Sequence, residues 1–219
     1  MMVMPSSHSS SRFHYLCGKF PDRLGWLIGP SGLKKLALRS WVPFALDNDA
    51  FSAFANGKPW DALAWQEFIL AIKRSGHHPM WALVPDVVCD KDATLEAWET
   101  YRHLISESGF PLAFAVQDGM TPDDITIDPH PDVIFVGGST KWKWETLPIW
   151  CRHFRRVHVG RVNSIDRLVT CDELGVESCD GTGWFRDPGD NQKMNALESW
   201  LDGSRVPHSE MFELSELTK

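Results

Sequence analysis

The chain has 219 residues, enough for one domain with a substantial core and too few for two comfortable ones. With 43% hydrophobic and 23% charged residues it reads as soluble and globular, and no run approaches the roughly 20 apolar residues that span a bilayer. The net charge of −7 argues against a broad basic face, and five cysteines with no CxxC pair argue against a disulfide scaffold or structural zinc and for reduced thiols in a cytoplasm.

The opening MMVMPSSHSSSR lacks the apolar core of a signal peptide and reads as a disordered tail over residues 1–12. Short apolar runs then predict strands at FHYLC (13–17), VPFAL (42–46), MWALV (80–84), LAFAV (112–116), VIFV (133–136), VHVG (157–160) and VESCD (176–180), with LGWLIG (24–29) as a candidate eighth. Helical spacing covers 60–74, 91–108, 142–155, 164–174 and 190–201. The second of these has clear ends: Asp90 or Asp92 can cap it, and Gly109 closes it. A single catalytic domain is expected over 13–203, followed by a C-terminal surface tail over 204–219.

Apolar strands that alternate with helices imply a parallel sheet covered on both faces. It can be an open doubly wound sheet or a small (β/α)8 TIM-type barrel, complete or irregular. No GxGxxG follows the first predicted strand, which weakens the open dinucleotide-binding layout. The polar residues favour the barrel. Asp47, Asp86, Gln117, the Gly137-Gly138 pair, Arg161 to Asn163, and Asp180 each stand at or just past a strand's C-terminal end, where barrel enzymes build their sites.

Arg152, Arg155, Arg156, Arg161 and Arg167 lie within sixteen residues, with His153 and His158 among them. They form either a phosphate track or an ordinary basic helix end followed by a strand. Of the eleven tryptophans, Trp60, Trp65, Trp81 and Trp98 read as core, whereas Trp142, Trp144 and Trp184 follow strand ends, where packing and stacking on a base are equally open.

One buried carboxylate can be a satisfied structural group. Several around one mouth are harder to explain that way, because like charges in a low-dielectric cleft raise one another's pKa. Displacement at an anomeric carbon uses such a set: one carboxylate attacks, another moves a proton, and a third binds the base edge.

Six segments carry a family likeness: LDNDAFSAF (46–54), VPDVVCD (84–90), FAVQDG (114–119), FVGGSTKWKW (135–144), HVGRVNS (158–164) and ESCDGTGWFR (177–186). In this order and spacing the chain resembles the tRNA-guanine transglycosylase superfamily, most of all its short branch acting on DNA with 7-deazaguanine bases. The resemblance implies that Asp180 is the nucleophile and Asp47 the general acid/base. It implies that Asp86 and Gln117 bind the base, with the backbone of Gly137 and Gly138 close to the ligand. Arg186, with Arg161 and Asn163, is expected near the nucleic-acid backbone.

There are departures. Asp49 stands where the family has glycine, and Trp184-Phe185-Arg186 replaces Pro-Thr-Arg. No cysteine follows Cys179, so the zinc subdomain of the tRNA-acting enzymes is not expected. DNA is therefore the favoured partner over tRNA, together with a free 7-deazaguanine base if the enzyme is a transferase; no cofactor, metal or membrane is expected. Two reaction classes stay open: exchange of guanine for a 7-deazaguanine, and excision that leaves an abasic site, as in defence against phages with modified bases. Outside them lie a non-catalytic nucleic-acid-binding barrel and a metal-dependent hydrolase using His77, His78, His153 and His158, which show no HxH or HExxH spacing.

Overall fold

The structure, a computed structural model, describes residues 1–6, 8–33, 37–185 and 191–203. The apolar runs form eight strands: β1 (Met2–Met4), β2 (Trp26–Ile28), β3 (Phe44–Leu46), β4 (Ala82–Leu83), β5 (Leu112–Val116), β6 (Val133–Val136), β7 (Val157–Val159) and β8 (Ser178–Asp180). All pair in parallel in the order β1-β8-β7-β6-β5-β4-β3-β2. Between the β1 and β2 segments, two isolated bridges are formed among the described residues, Val3 with Leu24 and Ser6 with Leu27. The result is a (β/α)8 barrel, nearly closed, with an unsealed seam between β1 and β2.

Among the described residues, eight helices connect or follow the strands: α1 (Ser11–Lys19), α2 (Pro30–Leu33), α3 (Ala50–Ala55), α4 (Ala62–Ser75), α5 (Lys91–Glu107), α6 (Thr140–His153), α7 (Ile165–Glu173) and α8 (Asn191–Leu201). A 3₁₀ turn, Pro122–Ile125, lies between β5 and β6. Local chemistry sets the helix ends. Asp61 and Asp90 each accept from a backbone N–H three residues on, at 3.0 Å, and left-handed Gly76 and Gly109 follow α4 and α5.

Two expectations about the N-terminus are corrected. FHYLC is helical, not a strand: Phe13, Leu16 and Cys17 are buried at i, i+3 and i+4, and Ser10 caps Phe13 N at 3.1 Å. The first strand lies instead inside the segment read as a tail, where Met2, Val3 and Met4 are all buried and pair with β8. A three-residue strand followed by Pro5 and serines is too short for the period-two pattern to register. The expected C-terminal tail, 204–219, lies outside the described residues.

Side-chain alternation divides the core in two. One set, including Val3, Trp26, Ile28, Leu46, Phe114 and Val159, packs outward against the helices. The other, Met2, Met4, Leu27, Ala45, Trp81, Leu83, Ala113, Ala115 and Val133 with Phe135, fills the barrel. Six strands thus point apolar side chains inward. β7 and β8 differ: their inward positions are His158, Ser178 and Asp180, all buried.

Candidate active site

The same alternation builds the mouth. Two residues past the last inward side chain of each strand is the next inward position, so β1, β2, β3, β5, β6 and β7 present Ser6, Gly29, Asp47, Gln117, Gly137 and Gly160. With Asp180 ending β8 and Asp86 beyond β4, these residues line one cavity of about 410 Å³ at the C-terminal end of the barrel. Glycine occupies half of those six positions, where neighbouring atoms leave little room for a side chain. A Cβ on Gly160 would stand 2.9 Å from the Phe135 ring and 3.5 Å from Asp180 Oδ2, and one on Gly137 would stand 3.1 Å from Gln117 Nε2.

Each Asp180 oxygen has a partner. Arg161 N donates to Oδ1 at 3.0 Å, and His158 Nε2 lies 3.3 Å from Oδ2. The backbone there is locked too, since Val162 N donates to Asp180 O at 2.6 Å. Arg161 adopts φ +62, a left-handed conformation that costs a non-glycine residue on the order of 1 kcal/mol. Three contacts hold it there: its N–H on Asp180, its guanidinium donating to Gly138 O, and its stacking 4.5 Å over Phe51. Asp49 and Cys89, also at the mouth, share this conformation with φ of 61 each.

Asp47 shows the largest perturbation. Its carboxyl accepts from Asn48 N at 2.8 Å, one bond against burial and the charges of Asp49, Asp180 and Asp86. Burial, then the charges of Asp49 and Asp180, push it up to about 8. Asp49 is held elsewhere: its Oδ2 accepts from Ser31 N at 2.8 Å, and its carboxylate lies where a Cβ on Gly29 would be.

Asp86 is clamped by amides. Asn48 Nδ2 donates to Oδ1 and Gln117 Nε2 to Oδ2, each at 2.7 Å. Burial nevertheless raises it to about 6, the Asn48 bond opposing. Gln117 is braced in turn, because its Oε1 accepts from Cys89 N at 2.9 Å and Gly138 N at 3.1 Å. At most one Gln117 N–H is left for a ligand. Asn163 lines the cavity while its Oδ1 accepts from Gly183 N at 2.9 Å.

The structure therefore brings together Asp47, Asp86, Gln117, Gly137, Gly138, Arg161, Asn163 and Asp180. Arg186 lies outside the described residues. The wider arginine track does not form: Arg155 and Arg156 precede β7, at the end of the barrel opposite Arg161, and Arg156 pairs with Glu177 at 2.7 Å. The open question over the tryptophans resolves to packing. Trp184 is buried and donates to Val162 O, while Trp142 and Trp144 pack against the outer core. The aromatic rings lining the cavity are Phe51 and Phe135.

Three participants escaped the sequence. Asn48 is 1% exposed and uses Nδ2 on Asp86 and Val84 O, and Oδ1 on Ala50 N. Lys143 is buried on α6 and donates to Gly160 O; burial, then Arg161, pulls it down to about 8. His158, expected among solvated histidines, is fully buried inside the barrel. The signal that could have found His158 is its alternation with buried Val157 and Val159, which puts it on the inward face; Asn48 and Lys143 had no such signal.

No protein-family model and no curated protein sequence matches the chain. Among solved structures it is similar to a mutant tryptophan synthase α-subunit from Pyrococcus furiosus, with TM-score 0.54 and 17% identity over 92% of this chain and 95% of that one. The tryptophan synthase complex from the same organism aligns with TM-score 0.53 and 15% identity, covering 93% of this chain and 95% of that one. At such identities the likeness shows the barrel fold and carries nothing about the chemistry. Among the described residues, no helix is long and apolar enough to cross a membrane.

Proposed function

We propose that the protein displaces a base from its sugar in DNA through an aspartate nucleophile, exchanging guanine for a 7-deazaguanine. The observation that carries this reading is a pair of carboxyls sharing one cavity in opposite conditions. Asp47 is pushed up to about 8 and so holds its proton at neutral pH, while Asp180 accepts the Arg161 N–H on Oδ1 and has the His158 ring beside Oδ2. An extruded nucleotide enters the mouth. An Asp180 oxygen forms a bond to C1′ as the C1′–N bond breaks, and the Asp47 proton passes to the departing base. The product is a deoxyribosyl ester on Asp180 and a carboxylate on Asp47.

That carboxylate then takes the ring proton of an incoming 7-deazaguanine, whose nitrogen displaces Asp180 and restores both groups. Water entering by the same route instead leaves an abasic site. Asp86, whose two oxygens retain unused lone pairs, accepts from the amide edge of a guanine-type base. The remaining guanidinium donors of Arg161 face the nucleic-acid backbone.

The test uses DNA labelled in guanine, with and without free 7-deazaguanine bases. Exchange predicts label release that depends on the added base and leaves no abasic sites. Release without added base, with abasic sites appearing in equal number, assigns excision instead. No release from guanine-containing or modified-base DNA under either condition overturns the reading.

A further inference from the structure

Buried polar side chains are costly unless partnered, and a barrel interior normally excludes them. Here six strands obey that rule and two adjacent ones break it, through His158, Ser178 and Asp180. These three form a chain leading upward to the cavity: Ser178 Oγ lies 2.8 Å from His158 Nδ1, and His158 Nε2 lies 3.3 Å from Asp180 Oδ2. An ionised carboxylate only accepts hydrogen bonds, so the ring hydrogen facing Asp180 must sit on Nε2. In that tautomer Nδ1 is the acceptor for the Ser178 hydroxyl hydrogen, so the serine favours it.

The ring itself has no freedom. Phe135 stacks on it, with centroids 4.7 Å apart and planes at 29°, and Trp81 meets it edge-on at 4.8 Å. With the Arg161 N–H on the other oxygen, the Asp180 carboxylate is held on two sides by groups that are themselves packed or bonded in place.

We infer that His158 is a positioning residue for Asp180, with Ser178 setting its tautomer. This rests on Asp180 being the attacking group. His158 touches neither substrate nor reacting carbon. It fixes the plane of the carboxylate, so that an Asp180 oxygen meets C1′ without first giving up rotational freedom.

Two amides separate positioning from packing. In His158→Gln the amide nitrogen falls near the place of Nε2, keeping a donor for Asp180 while losing the contact with Ser178. In His158→Asn it falls near Nδ1, keeping the Ser178 contact while losing Asp180. Single-turnover base release is expected to fall on the order of 10²-fold in His158→Asn, and by no more than about tenfold in His158→Gln. DNA affinity should be unchanged in both. Equal rates in the two variants, or an Asn variant near the wild-type rate, overturn the inference.

Ser178→Ala gives a second answer without disturbing the ring's packing, should either amide fail to fold. A fall in the single-turnover rate with DNA affinity retained is expected, and an unchanged rate counts against the tautomer lock and the inference with it. Asp180→Ala measured alongside separates the two levels. Base release surviving in Asp180→Ala removes the nucleophile; an inactive Asp180→Ala beside a wild-type-like His158→Asn removes only the role of His158.

Discussion

Asp47→Asn is expected to stabilise the protein while disabling it. The carboxyl sits at about 8 in the folded chain against 3.8 for an ordinary aspartate, so folding favours its protonated form. The sign follows directly. Below about pH 4 the group is protonated in both states and costs nothing. As pH rises from about 4 to about 8 the unfolded chain loses the proton and the folded one keeps it, so stability drains away across that window; above it the loss is constant. At 1.36 kcal/mol per tenfold, the ceiling is about 6 kcal/mol, and solvent reaching the cavity lowers this to roughly 3 kcal/mol.

Asparagine keeps the shape and removes the ionisation. For a chain of this size roughly 3 kcal/mol corresponds to about 6–12 °C in Tm. Thermal melts of wild type and Asp47→Asn from pH 4 to 9 should show no difference at the acid end and a gap widening to that size by pH 8. Base release should fall on the order of 10²–10⁴-fold in the same variant. A gap that is constant with pH, or an asparagine variant less stable at pH 8, would refute the electrostatic account of the site.

Asp86→Asn should behave oppositely. It places an amide donor against the Asn48 and Gln117 amides, costing about 1–3 kcal/mol in a denaturant melt and relaxing base selection in a competition between guanine and other bases. Arg161→Ala should weaken DNA binding and reduce the salt slope by about one, whereas Arg155→Ala, at the far end of the barrel, should leave both unchanged in a salt titration. Gly160→Ala inserts a methyl group between Phe135 and Asp180; single-turnover rate should drop while far-UV circular dichroism stays native.

Most of the ring of site residues was legible in the sequence because period two continues past the strands. Asp47, Gln117, Gly137 and Asp180 fall inward by the same alternation that turns Ala45, Ala115, Phe135 and Ser178 into the barrel. The eight-strand count was reached with one strand misplaced. FHYLC is apolar enough for a strand, and only the burial of Phe13, Leu16 and Cys17 against the sheet shows the helical period. MVM was invisible because three residues carry no periodicity, and their place is decided by pairing with β8, some 175 residues away. Asn48 was hidden for a related reason. Its value lies in reaching Asp86 and Val84 on the neighbouring strand's loop, a relation between segments that no local pattern records. The arginine cluster stayed open in the sequence because proximity along the chain across β7 spans the two opposite ends of the barrel.

The central claim is a covalent bond between Asp180 and the sugar, and peptide mapping by mass spectrometry tests it most directly. Wild-type protein and Asp47→Asn are incubated with substrate DNA, quenched in acid and digested, and the peptide containing Asp180 is examined for a deoxyribosyl adduct. Asp47→Asn slows the proton transfers that resolve the ester, so an adduct on Asp180 is expected there if attack is slowed less than resolution, and none in Asp180→Ala. A folded, DNA-binding Asp180→Ala protein that releases base at the wild-type rate, or an adduct mapping to another residue, would contradict the account.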